Sequence, residues 1–260
     1  MAASVCRFRG TGVFMGAIKM PKIALLISLC AIAVSAAARD LAPMQTISGF
    51  QIDRTEVSVG QFRGFAKATS LVTAAERDGG LVYEAGWVRK PGWNWRAPYG
   101  KPAADNEPAV HLSFQEAAAF CRWVGKRLPT DAEWVEAAYV EHRSEPPPPF
   151  VTGRRYRYPV GDSSLGANCL GDCGAVKPVQ HQAVLWRGAG HAPVGTTRPG
   201  VYGLYAMGAN VFEWVDAHDG GQRRTRGGSW WYGEQQMRES HLASKPPEFG
   251  AVYIGFRCVR

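Results

Sequence analysis

The first 38 residues contain no acidic side chain, and Arg7, Arg9, Lys19 and Lys22 are their only charges. The apolar run inside them, Ile23 to Val34, is too short to span a bilayer. The small residues Ser35-Ala-Ala-Ala38 follow it, so the segment reads as an export signal with a cleavage site. Translation could start at Met15 or Met20, which would make residues 1–14 an upstream extension. An uncleaved anchor is the alternative. Cys30 is a poor lipid-attachment site because Leu29 stands where a small residue is needed. The chain also lacks a Gly-rich phosphate loop, since its Gly-x-Gly pairs fall in turns rather than between strand and helix. No internal repeat occurs, and no cysteine lies between Trp230 and Ile254. Net charge is +8, but without the first 38 residues 26 basic residues face 22 acidic ones, which leaves +4. That mild, dispersed excess argues little for nucleic acid. Arg223-Arg224-Thr-Arg226 is a local basic cluster, either solvated or facing an acidic partner.

Hydrophobic residues at 46% and charged ones at 20% place the chain among folded globular proteins. Thirty glycines and nine tryptophans point to turns and short strands with aromatics filling the gaps, not to a helix bundle. Residues 39–49 read as a connector. Phe50 to Val57 alternates as a strand, and Ser58 caps a helix over about Val59 to Ala68. Residues 70–108 read mostly as loop, with one helical turn at Val72 to Arg77. Ala109-Val-His-Leu112 is expected as a strand. Ser113 and Glu116 form a capping box for a helix ending near Val124, where Gly125 stops it. Thr130 and Glu133 open the next helix, which carries Trp134 and runs to about Val140. Pro146 to Pro149 is an exposed loop.

Several motifs then occur in order. Cys121-x-Trp-x-Gly-Lys-Arg-Leu-Pro-Thr-x-Ala-Glu-Trp134 comes first, followed by Gly203-Leu-Tyr and Gly208-x-Asn-Val-x-Glu-Trp214. Arg226-Gly-Gly-Ser-Trp230 and Gly255-Phe-Arg-Cys258 complete the set. This order resembles the formylglycine-generating enzyme family, also called sulfatase-modifying-factor domains, over roughly residues 44–260. The resemblance implies one irregular α+β domain, related to C-type lectins, with few helices and short antiparallel strands. It also covers Asn94-Trp-Arg-x-Pro-x-Gly100, so Trp93, Trp95 and Arg96 could line a substrate groove or simply fill the core.

The family's founding activity oxidises a sulfatase cysteine to formylglycine with copper on two cysteines, a soft ion on soft ligands. Those cysteines belong in the interval Trp230 to Ile254, where this chain has none. A rough alignment puts Glu234 and Glu239 near the lost positions. With His241 they could form a hard-metal or acid–base cluster, or a solvated surface. Copper is therefore not expected. Calcium is the cofactor the resemblance leaves open. Glu56 with carbonyls of Ala209 and Val211 would form one site, weakened by Ala206 at a family Asn/Asp position. Asn168 with the Cys169 carbonyl would form the other, with no acid between Asp172 and Pro193 to complete it.

After cleavage four cysteines remain, an even count that suits an oxidising compartment. The expected pairs are Cys121–Cys258 and Cys169–Cys173, with zinc at Cys169-Leu-Gly-Asp-Cys173 as the rival reading. Ser229 in the Gly-Gly-Ser turn has no evident His and Asp partners and is not read as a nucleophile. Two function classes stay open. One is a periplasmic or secreted family enzyme that matures or oxidises an exported protein, peptide or siderophore, with no nucleic acid or membrane partner after cleavage. The other is a non-catalytic binding module on the same scaffold.

Overall fold

Each helix begins where the sequence offers a side chain to cap it. The computed structural model describes residues 41–171, 173 and 190–260. The export signal read at residues 1–38 lies outside the described residues, as does the stretch 174–189. The described residues cluster as one unit. Helices α1 (Val59–Thr69), α2 (Ala74–Asp78), α3 (Phe114–Trp123) and α4 (Asp131–Tyr139) start at Ser58, Thr73, Ser113 and Thr130. All four starts are reciprocal capping boxes, each satisfying two of the backbone amides a helix start leaves open. Among the described residues no helix is long and apolar enough to cross a membrane.

The strands are short. β1 (Met44–Ile47) and β2 (Phe50–Asp53) form an antiparallel hairpin around Ser48-Gly49, where Gly49 takes φ +91°. β3 (Gly80–Tyr83) and β4 (Trp87–Lys90) form a second hairpin. β5 (Phe212–Asp219), β6 (Gln222–Arg226), β7 (Ala243–Lys245) and β8 (Ile254–Gly255) make one sheet in the order β7-β6-β5-β8, with β8 parallel to β5. Two expectations are corrected. Residues 39–49 contain a strand, because Ser-Gly closes a tight hairpin. Ala109–Leu112 is not a strand: His111 sits at φ +60° with its Nε2 on the Pro98 carbonyl at 2.9 Å, which breaks any ladder.

The last residues of the chain run beside β2. Asp53 N–H donates to Cys258 O, and Gln51 and Arg260 exchange two backbone bonds. Cys121 of α3 meets Cys258 in a disulfide, both sulfurs fully buried. Around it pack Phe62, Phe65, Trp95, Phe120 and Phe256, with ring centroids 5.1 to 6.4 Å apart. Such edge-to-face and offset contacts add to plain burial. Cys169–Cys173 is the second disulfide, so the expected pairing is present and the zinc reading falls.

Candidate functional site

Three of the sequence motifs converge on one buried carboxylate. Glu213 receives Arg257 Nε at 2.8 Å and Nη2 at 2.6 Å, and Trp134 Nε1 at 2.8 Å. Arg257 also donates to Asp53 O at 3.0 Å and Tyr205 O at 2.7 Å. Both ion-pair partners are essentially buried, at 0% and 1% side-chain exposure. The Glu-Trp, Gly-Phe-Arg and Ala-Glu-Trp signatures are thus structural first: they tie β5, the C-terminus and α4 together.

A polar network lies beside this latch. Glu56 is fully buried; its Oε1 accepts from Asn210 Nδ2 at 2.8 Å and its Oε2 has no hydrogen-bond partner. Asn210, at φ +57°, also donates to Ala192 O and accepts from Ala192 N–H and from Asn168 Nδ2. Glu56 and Asn168, read from the sequence as members of two separate sites, therefore share one asparagine. Asn210 was missed in the sequence, although its place in Gly208-x-Asn could have marked it. Ala209 N–H is spent on Gly227 O, and Val211 is buried at the head of β5. Gly227 itself is obligatory: at φ +95°, an added Cβ would lie 2.7 Å from Met207 O.

Burial pushes the Glu56 carboxyl up to about 8, helped by Glu213 and opposed by Arg257. In the metal-free fold this group keeps a proton that the unfolded chain releases above its ordinary value of 4.5. The folded state then binds more protons, so stability falls as pH rises through the window from about 4.5 to about 8. Thermal melts in chelator should show this loss, up to a few kcal/mol. Glu56→Gln keeps the acceptor for Asn210 and should flatten the slope. A slope unchanged in E56Q would refute this assignment.

The residues proposed for catalysis each have a partner of their own. Glu234 accepts from Tyr158 Oη at 2.7 Å and Ser164 Oγ at 2.6 Å, and these bonds hold it below its usual range. Glu239 pairs with Arg155 at 2.6 Å. The His241 ring lies 6.2 Å from the Phe212 ring, its Nε2 buried without a partner, and burial with the charges of Lys245 and Arg226 lowers its pKa. Each side chain has its own surroundings, and no group of three His, Cys, Asp or Glu suited to a metal occurs among the described residues. These separate partners lend no support to the expected catalytic cluster at 234–241.

Of the residues read as groove or core, the two tryptophans fill the core and Arg96 is exposed. Trp95 is wholly buried and donates to Glu76 at 3.0 Å, and Trp93 is 8% exposed. Arg96 bonds the same Glu76 at 2.8 Å with its guanidinium 4.1 Å from the Trp95 ring centre. Trp95 and Arg96 thus anchor α2 to the core. Nor is the basic cluster free: Arg224 and Arg226 both bind Asp131, and Arg223 binds Asp216.

A family model described as the sulfatase-modifying factor enzyme 1-like domain matches residues 27–260. The chain belongs to this family. The formylglycine-generating enzyme of Thermomonospora curvata is 33% identical over 83% of this chain and 84% of its own length. The inactive C-alpha-formylglycine-generating enzyme 2 of Mus musculus is 27% identical over 82% of this chain and 75% of that one. Hercynine oxygenase of Mycolicibacterium thermoresistibile is 26% identical over 81% of this chain and 50% of its own length. Among solved structures, PvdO from Pseudomonas aeruginosa superposes with a TM-score of 0.55 at 22% identity, covering 81% of this chain and 80% of that one. CarF gives 0.52 at 22% identity, with coverage of 81% and 85%. At that identity the two likenesses establish the fold of this sulfatase-modifying-factor domain and nothing further.

Proposed function

We propose that the chain is an exported sulfatase-modifying-factor protein that matures or oxidises a periplasmic or secreted protein, peptide or siderophore without a copper dithiolate. The observation that carries this reading is the state of the cysteines. All four among the described residues are paired, Cys121 with Cys258 and Cys169 with Cys173. A disulfide offers no thiolate, and Cu(I) selects thiolates. Family relatives include both formylglycine-generating enzymes and a hercynine oxygenase, so the scaffold accommodates more than one oxidative task.

Calcium is the cofactor we propose, held by Glu56 with carbonyls of Ala209 and Val211. The buried, unpartnered Glu56 Oε2 suits a hard cation that takes oxygen ligands. Its charge would hold Glu56 ionised and brace the Gly208–Val211 turn.

A second reading, a binding module without catalysis, draws support from the separate tethering of Glu234, Glu239 and His241. Mass spectrometry of the exported fraction, with and without the gene, separates the two. The enzyme reading expects one exported peptide, protein or siderophore to gain an oxygen or lose a hydrogen pair only when the gene is present. Unchanged masses would overturn it in favour of the module. A sulfatase peptide incubated with the chain, Cu(I) and O₂ should keep its cysteine; stoichiometric formylglycine would overturn the copper-free reading.

A further inference from the structure

A cleft of about 960 Å³ opens between α4 and the segment 238–242, its walls including Arg157, Arg226 and Arg238. Most of the charges around it are already matched. Arg226 holds Asp131 through two hydrogen bonds and bonds the carbonyls of Glu239 and His241. Arg155 holds Glu239 at the rim. Two guanidiniums share a single remaining carboxylate, Glu234, which feels the charge of both. Arg157 has no ion-pair partner among the described residues. Arg238 reaches Glu234 only at 4.0 Å, and its Nε has no partner. Both oxygens of Glu234 already accept hydrogen bonds, from Tyr158 and Ser164. The two guanidiniums lie 5.3 and 5.9 Å from the same Tyr158 ring, so one fixed aromatic positions both.

Part of the cleft is apolar. Val135 and Ala132 of α4 face it, and Leu242, 56% exposed, stands on the opposite segment. An exposed leucine alone means little, but here it borders a concave surface with more positive than negative charge. Forked guanidinium donors fit a carboxylate in a plane, and the apolar wall asks for an aliphatic side chain next to it. The volume is much larger than a single small acid fills. Asp131 and Glu239 on the walls would oppose a continuous polyanion such as nucleic acid.

We propose that this cleft binds an acidic, aliphatic peptide segment of the exported substrate, its carboxylate held by Arg157 and Arg238 and its aliphatic neighbour lying against Val135 and Leu242. The proposal rests on the reading that the chain acts on a protein or peptide, and it names what that substrate presents.

The test uses the full-length chain and two dye-labelled peptides, Ala-Leu-Asp-Leu-Glu-Ala and its amide counterpart Ala-Leu-Asn-Leu-Gln-Ala, followed by fluorescence anisotropy. The acidic peptide should bind at least tenfold more tightly than the amide one. Arg157→Ala with Arg238→Ala should bring the acidic peptide to the amide's level. Lys67→Ala with Arg122→Ala removes the same charge from exposed sites on α1 and α3 and should change affinity less than twofold. L242S should weaken both peptides about three- to tenfold. Equal binding of the two peptides by the unaltered chain, or an equal loss in the control pair, would overturn the proposal whether or not the arginine variants fold. Displacement by free succinate at the peptide's own concentration would overturn the peptide assignment. Because the readout is binding, its failure beside a positive mass difference in the exported fraction would remove the cleft and leave the oxidative reading. A positive binding result with unchanged masses would do the reverse.

Discussion

Replacing Cys121 and Cys258 together by alanine should lower the unfolding free energy by about 5 kcal/mol, the chain-entropy value for a loop of this length. The two residues are 137 apart in sequence. Their bond ties α3 to the C-terminal segment, and that segment fills the space beside β2. Unlinked, the C-terminus must be held by Arg257, Phe256 and backbone bonds alone. The bond between Cys169 and Cys173 closes a loop of only 4 residues, for which the same relation gives about 2 kcal/mol. Urea titrations of the two double-alanine variants should therefore rank them clearly. A loss below about 1 kcal/mol for the 121/258 pair would mean that the unfolded chain is already constrained by other means.

The second large effect belongs to the buried latch. Glu213→Ala would leave the fully buried Arg257 guanidinium without its carboxylate and Trp134 Nε1 without an acceptor. Breaking a buried ion pair from one side costs about 3–5 kcal/mol. The charge cannot escape by deprotonation, since arginine stays ionised. Arg257→Met alone should be costly for the converse reason, stranding Glu213 next to Glu56, whose carboxyl Arg257 helps to ionise. The double variant E213L/R257M should lose less than the sum of the two single changes, because it leaves no uncompensated charge from this pair. Additive losses in a double-mutant cycle would show that the ion pair contributes little beyond packing.

The helices and their caps were legible because capping is local. Ser58, Ser113 and Thr130 announce their helices within three residues, and the boxes at 113–116 and 130–133 form as read. The family motifs were legible for a similar reason, each being a short segment with a fixed task in the core. The two hairpins were less visible. β4 presents Trp87 and Val88 outward at 44% and 37% exposure, so no clean alternation marks it, and the β1–β2 turn is a two-residue Ser-Gly within a stretch read as connector.

The candidate site was the hardest part to read. Sequence proximity placed Glu234, Glu239 and His241 in one loop. A 3₁₀ turn spans Glu234–Met237, and each of the three side chains has a different tertiary partner. Trp93 and Trp95 sit among glycines and prolines, yet they are packed inward by contacts from α1, α2 and Tyr99. Arg157 and Arg238 carried no signal in the sequence, because their significance lies in sharing one carboxylate, Glu234, that is brought to them only by the fold.

Peptide mapping of the purified chain, alkylated before and after reduction, tests the central claim most directly. The account predicts that Cys121, Cys169, Cys173 and Cys258 stay unlabelled until reductant is added, with the linked peptides 121/258 and 169/173 recovered and no copper retained. Any two of these cysteines alkylated in the unreduced chain, together with a stoichiometric copper ion, would contradict it.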